Sequence, residues 1–264
     1  MLIAIDIGNS KIKVGLFEDY LKDNIKIISF DSDLKNINNI HKSINEYISE
    51  LNKDIKIIGC IISSVVPDLN DEIIIQMENE LGIEPIIVDS NLVPEINFDY
   101  EPLSDLGADR IADCIAVNYL YPNNKFKIVV DFGTATVFEV ISKKGDFIGG
   151  SIFPGLEIAS KALSIKASLL NEIDFDKWDD SQKVIGNTTN EALKSSIYWG
   201  YISLTDGIVK KIIDELELNR SECIIIGTGG FANIINNQIS IFDKIDQNLT
   251  LEGMRIIYNM NLND

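Results

Sequence analysis

The sequence predicts an α/β protein made of two similar halves, each a mixed β-sheet with helices on its faces. Three observations carry this expectation. Residues 3–17, IAIDIGNSKIKVGLF, run as an apolar strand into Asp6, a Gly-Asn-Ser turn and a second, alternating strand. Residues 127–141, KIVVDFGTATVFEVI, do nearly the same around Asp131. Around both motifs, strand-like and helix-like periodicities follow one another, as they do where helices cover a sheet.

In the first half, strands are expected at about 2–6, 11–17 and 25–30. A helix follows near 38–51, where Ile40, Ile44, Tyr47, Ile48 and Leu51 make one face. DIKIIGCIISS holds the next strand. A helix then opens after Val66-Pro67 and closes at Gly82, and EPIIVDS is a short strand. The order β-β-β-α-β-α-β calls for a mixed sheet. After FDYEPLSDLGADR, the spacing of Ile111, Cys114, Ile115 and Val117 marks a helix leading to YLYPNN, a turn cluster suited to a hinge. The expected domains are therefore 1–118 and 119–264.

The second half restarts with strands at 127–131 and 134–141, a KKGD turn and a strand in DFIGGSI. Pro154 and Gly155 open a long helix ending near Leu170, and residues 171–187 read as polar and irregular. A long helix starts at about Thr188, followed by the strand CIIIG, the turn TGG and the helix FANIINNQ. Leu251, Met254, Ile257 and Tyr258 then suit a closing amphipathic helix.

Composition removes several functions. A formal net charge of −18 argues against a nucleic-acid surface, since no basic stripe offsets phosphate repulsion. DKWDD and DEIIIQMENE read as solvated faces. No apolar run approaches the roughly 18 residues that span a bilayer. MLIAI passes straight into the Asp6 turn as a first strand, so a cytoplasmic protein with no membrane partner is expected. Cys60, Cys114 and Cys223 lie far apart in apolar stretches with no C-x-x-C, which makes them core residues rather than disulfide or zinc ligands. His41 is the only histidine and flanks a helical face, so it offers no Ser-His-Asp chemistry.

The repeated turn is the chemical signal. Taken alone, the first stretch also fits a plain hairpin. In an open sheet, however, ligands collect beyond the C-terminal strand ends. A strand ending in Asp-x-Gly puts a carboxylate beside backbone N–H groups, so the amides can cradle phosphate oxygens while the acid holds a neutralising cation. Two such turns, at Asp6 and Asp131, would make a split cation and phosphate site. IIIGTGGFANI adds a glycine loop between strand and helix, suited to close approach by a nucleotide. There is no G-x-x-x-x-G-K-[ST] loop, no G-x-G-x-x-G and no protein-kinase H-R-D motif, and Asp131-Phe132-Gly133 lies between strands without kinase companions.

The pattern resembles the acetate kinase, hexokinase, Hsp70 and actin superfamily. That likeness implies duplicated ribonuclease H-like (actin-like ATPase) domains, each a mixed five-stranded sheet with flanking helices, and a nucleotide cleft between them. It narrows at LGADRIADCIAVNYLY, VVDFGTATVFEV and GGSIFPGLEIASKAL, with IDIGNS ahead and TGGFA behind. This ordered set resembles type III pantothenate kinase, the first enzyme of coenzyme A synthesis, over essentially the whole chain. The resemblance implies an ATP-dependent kinase that converts pantothenate to 4'-phosphopantothenate.

Its site residues carry over by position. The first turn, Asp6, Ile7, Gly8, Asn9, Ser10, Lys11, Ile12 and Lys13, matches the ATP-phosphate segment, although ordinary strand-edge solvation also accounts for the Lys11 and Lys13 side chains. Asp109, in Gly107-Ala108-Asp109-Arg110, matches the catalytic acid–base residue. Read without the pattern, it is a helix N-terminal acid favoured by the macrodipole. Arg110 suits the pantothenate carboxylate through two parallel hydrogen bonds, or an intrachain pair with Asp105 or Asp113. Tyr100, Gly107 and Ala108 fall at substrate positions, with a core role as the alternative for Tyr100. Asp131 matches a monovalent-cation ligand, for K⁺ or NH₄⁺, and Thr134 an ATP contact. Magnesium is expected with the nucleotide, with Asp6 its one candidate protein ligand. Thr189 matches a threonine that reaches substrate from the neighbouring subunit, which implies a homodimer with pockets at its interface. The chain departs from the family pattern at Val137, where a threonine is common, at Ser196, often glycine, and at Ser10, which keeps the hydroxyl of a usual threonine. Gly186-Asn187-Thr188-Thr189 leaves Thr188 and Thr189 as alternatives. Two other functions fit the fold: a non-catalytic transcriptional regulator, and a kinase of another small hydroxylated molecule.

Overall fold

Among the residues described by the computed structural model (1–21, 24–51, 55–166, 172–175, 183–237 and 239–262), ten strands form two five-stranded sheets. In the first, β1 (Leu2–Ile7) is central, between antiparallel β2 (Lys11–Phe17) and parallel β4 (Gly59–Ser64). β3 (Ile25–Asp31) and β5 (Ile86–Ile87) are the edges, giving the order β3-β2-β1-β4-β5. In the second sheet, β6 (Phe126–Phe132) is central, between antiparallel β7 (Ala135–Ile141) and parallel β9 (Cys223–Thr228). Its edges are β8 (Phe147–Pro154) and β10 (Lys244–Ile245). Position for position and direction for direction, the second sheet repeats the first, so the duplication seen in two short motifs extends to whole sheets. Only β10 had no counterpart in the sequence reading.

The chain forms two compact units. One is Met1–Pro122 with Leu249–Asp264, and the other is Asn123–Asn248. The first ends at Pro122, inside YLYPNN, and includes the last helix, whereas the expected linear division at 118/119 puts that helix in the second half.

In the first unit, α1 (Leu34–Glu50) starts four residues earlier than its apolar face suggests. Asp33, in extended conformation, accepts a hydrogen bond from the Asn36 N–H at 2.9 Å and nucleates the first turn. Helix α2 (Pro67–Leu81) begins on a proline, whose fixed φ suits the first helical position, and ends at Gly82 with φ 65°. Its Ile73 and Met77 are buried while Asp71, Glu72, Glu78 and Glu80 are exposed, so DEIIIQMENE is indeed a solvated face. Strand alternation sends Ile3, Ile5, Ile7, Cys60 and Ile62 into one core with α1 and α2. The opposite face, bearing Leu2, Ala4 and Asp6, is covered by α3 (Ala108–Leu120) and the returning α7 (Leu249–Met260).

Two glycines let α7 settle there. Tyr258 lies over Gly59 of β4 in the space a Cβ would occupy, and its hydroxyl donates to the Ile58 carbonyl at 2.8 Å. At Gly253, α7 crosses α3 so closely that a Cβ would overlap the Ala112 carbonyl. Arg255, buried on the same helix, donates from Nε to Glu252 at 2.8 Å and caps the Tyr20 carbonyl at 2.9 Å.

In the second unit, Ile128, Val130, Phe132 and Phe138 pack against α5 (Thr189–Glu215), α6 (Ala232–Asn236) and Leu156 of α4 (Leu156–Lys166). The expected helix end near Leu170 and the acidic run 176–180 lie outside the described residues. Cys60, Cys114 and Cys223 are buried free thiols, as expected of core residues. No helix among the described residues is long and apolar enough to cross a membrane.

The α7–α3 crossing makes a prediction whose sign discriminates. Replacing an open helical glycine with alanine stabilises by about 1 kcal/mol. Gly207→Ala on α5, with nothing within 4 Å of the added methyl, should therefore raise stability in urea unfolding. Gly253→Ala should instead lower it by about 1–3 kcal/mol, because the methyl meets backbone that cannot yield.

Candidate active site

Asp6 stands one residue before the end of β1, half-buried, where the strand's fully buried stretch stops. Its register partners are Lys13 on β2 and Ser63 on β4, so the three side chains form one row on the face covered by α3 and α7. The turn beyond is tied from within and from both sides. The Gly8 N–H donates to the Lys11 carbonyl at 3.0 Å, the Val65 N–H to Ile7 O at 3.1 Å, and the Ser32 N–H to Ser10 O at 3.1 Å. The Ser32 hydroxyl also donates to Gly8 O. Asn9 and Ser10 form the exposed tip. Lys11 pairs with Asp31 at 2.6 Å on the sheet edge, which agrees with the solvated reading of its side chain.

Asp109 is held at the N-terminus of α3. Gly107 caps this helix with φ −59° and ψ 144° and offers no side-chain cap. Asp109 supplies an acceptor instead, its Oδ1 taking the Arg110 N–H at 2.8 Å. The carboxylate lies where a Cβ on Gly107 would stand, and Val65, just past β4, closes the other side. The Gly-x-Asp spacing thus has a steric origin: only glycine at 107 leaves room for the acid to turn back. Burial pushes the Asp109 carboxyl up from the ordinary carboxylate range, against the Arg110 amide and guanidinium, which pull it down. Arg110 is itself buried, its guanidinium carbon 5.0 Å from the centre of the half-buried Tyr100 ring. Tyr100, Gly107, Ala108, Asp109 and Arg110 are therefore one local assembly.

The second unit repeats the acid's setting. Asp131 is half-buried, one residue before the end of β6, between Val137 on β7 and Thr228 on β9. Three glycines shape this strand end and the turn that follows it. Gly133 donates its N–H to Ala135 O at 3.0 Å, and a Cβ there would stand 3.4 Å from Asp131 Oδ2. Gly229, with φ 87°, lies where a side chain would overlap the Asp131 carboxylate and the Phe132 backbone. Gly155 donates to Thr134 O at 3.0 Å, with its Cα against the Gly133 and Thr134 carbonyls. The Asp131 carboxylate and the Phe132 carbonyl both adjoin Gly229, so two kinds of oxygen stand near this strand end. Among the described residues, no three His, Cys, Asp or Glu side chains cluster as a metal site.

At the start of α5, Thr188 is the N-cap, its hydroxyl accepting the Glu191 N–H at 3.2 Å. Glu191 in turn accepts the Asn187 N–H at 2.7 Å. Thr189 is the first helical residue and is exposed, so the capping duty falls to Thr188 and leaves Thr189 outward. Sequence reasoning did not connect Gly155, Ser63 or Thr228 to the acids. The last two follow only from strand order, which no local pattern reveals.

A family model for type III pantothenate kinase matches residues 2–211. The type III pantothenate kinase of Finegoldia magna is 34% identical over 274 aligned residues, covering 100% of this chain and 99% of that protein. The type III pantothenate kinase of Moorella thermoacetica is 33% identical over 270 residues, covering 99% and 100%. In structure, the chain is similar to a conserved Campylobacter jejuni protein labelled a Baf family transcriptional activator. The TM-score is 0.59 at 21% identity, with 99% of this chain and 100% of that one covered, a likeness of fold. With the family model matching most of its length and relatives one-third identical end to end, the chain belongs to the type III pantothenate kinase family.

Proposed function

We propose that the protein transfers the terminal phosphoryl group of ATP to the primary alcohol of pantothenate, giving ADP and 4'-phosphopantothenate. The observation that carries this reading is Asp109, a carboxylate of raised basicity fixed at a helix N-terminus beside the sheet face that bears Asp6. The alcohol oxygen forms a bond to the terminal phosphorus as the bridging P–O bond breaks, and the electron pair leaves on ADP. Asp109 orients the hydroxyl and accepts its proton late, as a loose transition state requires.

Arg110 receives the pantothenate carboxylate. Its guanidinium is buried against the Tyr100 ring, where a planar fork matches a carboxylate through two parallel hydrogen bonds. The Asp6 turn and Thr134 contact the ATP phosphates, and magnesium arrives with the nucleotide near Asp6. Asp131 holds K⁺ or NH₄⁺, supplying positive charge near transferring phosphates in an acidic chain. Thr189, outward on α5, completes the pocket of a second subunit in a homodimer, and the enzyme works in the cytoplasm. Full-length similarity to two type III pantothenate kinases supports this function over a regulator or a kinase of another alcohol.

A coupled assay with magnesium, ATP and pantothenate should show turnover. Replacing potassium or ammonium by sodium should cut the rate roughly tenfold or more. Protein that consumes no ATP with pantothenate under these conditions refutes the proposal.

Asp109→Asn should lower kcat roughly 10²–10⁴-fold while a non-hydrolysable ATP analogue binds as before. The base works ionised, so kcat/KM should fall as pH drops through its pKa. Because burial raises that pKa, the acid limb should lie above the range of a solvated aspartate. The folded state holds this proton more tightly than the unfolded chain, so the residue stabilises in acid and loses that contribution as pH rises. The asparagine variant should therefore melt no lower than wild type at neutral pH.

A further inference from the structure

We propose that Ser63 is a positioning residue that acts through Asp6, donating its hydroxyl to that carboxylate when the acid takes up the cation accompanying the nucleotide phosphates. The inference rests on the nucleotide role of the Asp6 turn. Ser63 is fully buried, and its Oγ has no hydrogen-bond partner among the described residues. A buried hydroxyl left unsatisfied is unfavourable, and alanine would avoid that cost, so the group has a partner in some working state. Ser64 next to it is explained locally, since its Oγ accepts the Val66 N–H at 3.1 Å. Ser63 has no such local use.

Sheet register identifies the partner. Ser63 pairs with Asp6 across parallel strands, so both side chains leave the sheet on the same face. The other β4 residues on that face are Gly59 and Ile61, which place no polar group there. Ser63 is wholly covered and cannot meet a ligand directly, whereas Asp6 is half-exposed above it. A carboxylate has two oxygens, so one can face a cation while the other accepts from a hydroxyl below. The second unit has the same arrangement: Thr228, 2% exposed, pairs with Asp131 on the parallel strand at the equivalent register. Both halves thus set a buried hydroxyl against the acid at the end of the central strand. On the β4 side this arrangement can hold the carboxylate without adding charge, while Lys13 stands on its β2 side.

The test compares wild type, Ser63→Ala, Ser63→Cys and Ser63→Thr in steady-state kinetics, melting, and calorimetric binding of a non-hydrolysable ATP analogue with magnesium. Ser63→Ala should raise KM for MgATP and weaken analogue binding roughly tenfold, the scale of a lost hydrogen bond to a charged group. KM for pantothenate should stay within about twofold and Tm should not fall, because an unsatisfied hydroxyl has been removed. Ser63→Thr, the residue used at the equivalent place in the second unit, should restore binding. If Ser63→Ala does not fold, Ser63→Cys carries the test, since it keeps the volume with only a weak donor.

MgATP parameters unchanged in the alanine or cysteine variant overturn the role. So does an equal loss for both substrates with a lowered Tm, which marks a merely structural serine. Wild type that neither turns over nor binds the analogue overturns the underlying reading and this one with it. A working wild type with an unaffected Ser63→Ala overturns this one alone.

Discussion

Each central strand carries an aspartate one position before its end, where a fully buried run first gives way to partial exposure, and the candidate site is organised by that placement. β1 is fully buried from Leu2 to Ile5 and half-buried at Asp6. β6 shows the same profile, buried from Lys127 to Val130 and half-buried at Asp131. One position earlier, each carboxylate would lose its water without gaining a partner. One position later, at Ile7 or Phe132, it would point into the fully buried opposite face and lose the register that sets Ser63 or Thr228 beside it. The acids therefore occupy a narrow rim between core and solvent, where a carboxylate keeps contact with water and is still held by the fold.

Glycine makes that rim usable. Two of the acids are approached by backbone where a side chain would exclude them: Gly107 beneath the Asp109 carboxylate, and Gly229 beside Asp131. Gly229 also needs glycine for its backbone, with φ at 87°. The missing side chains bring amides and carbonyls within reach of the acids, so the site is built largely from main-chain groups. A chain this acidic gains from such construction. With a net charge of −18, it can receive anions only where local amides, a buried guanidinium or bound cations outweigh the general repulsion.

Much of this was legible in the sequence, and the boundary is physical. Strand period, the two Asp turns, Pro67, Gly82 and the helix from Ala108 are local signals, and the structure has them where the sequence implied. The family itself was legible because its motifs occur in order along the whole chain. Sheet order, by contrast, is a long-range property. Nothing near Ser63 shows that it lies beside Asp6, and nothing near Gly59 shows that Tyr258, 199 positions later, fills the space above it. Helix α7 was readable as a helix but not as part of the first unit, since its amphipathic face does not say which sheet it covers. The start of α1 was missed for a smaller reason: the capping signal of Asp33 lies ahead of the apolar face that periodicity detects.

The Asp109 assembly shows how these levels combine. Its carboxylate is pushed toward neutrality by burial and pulled toward ionisation by the Arg110 amide and guanidinium, with burial the larger effect. A surface aspartate would lack the desolvation that raises this carboxyl, and one without the Arg110 contacts would lose the interactions that lower it. Arg110 cannot relax this balance by losing its charge, because a guanidinium stays protonated, and Tyr100 holds it in place. The carboxylate's basicity and the arginine's position are thus set by one short stretch of helix and one ring. Moving either side chain would change the surroundings of both charged groups together, since the two are neighbours at one helix N-terminus.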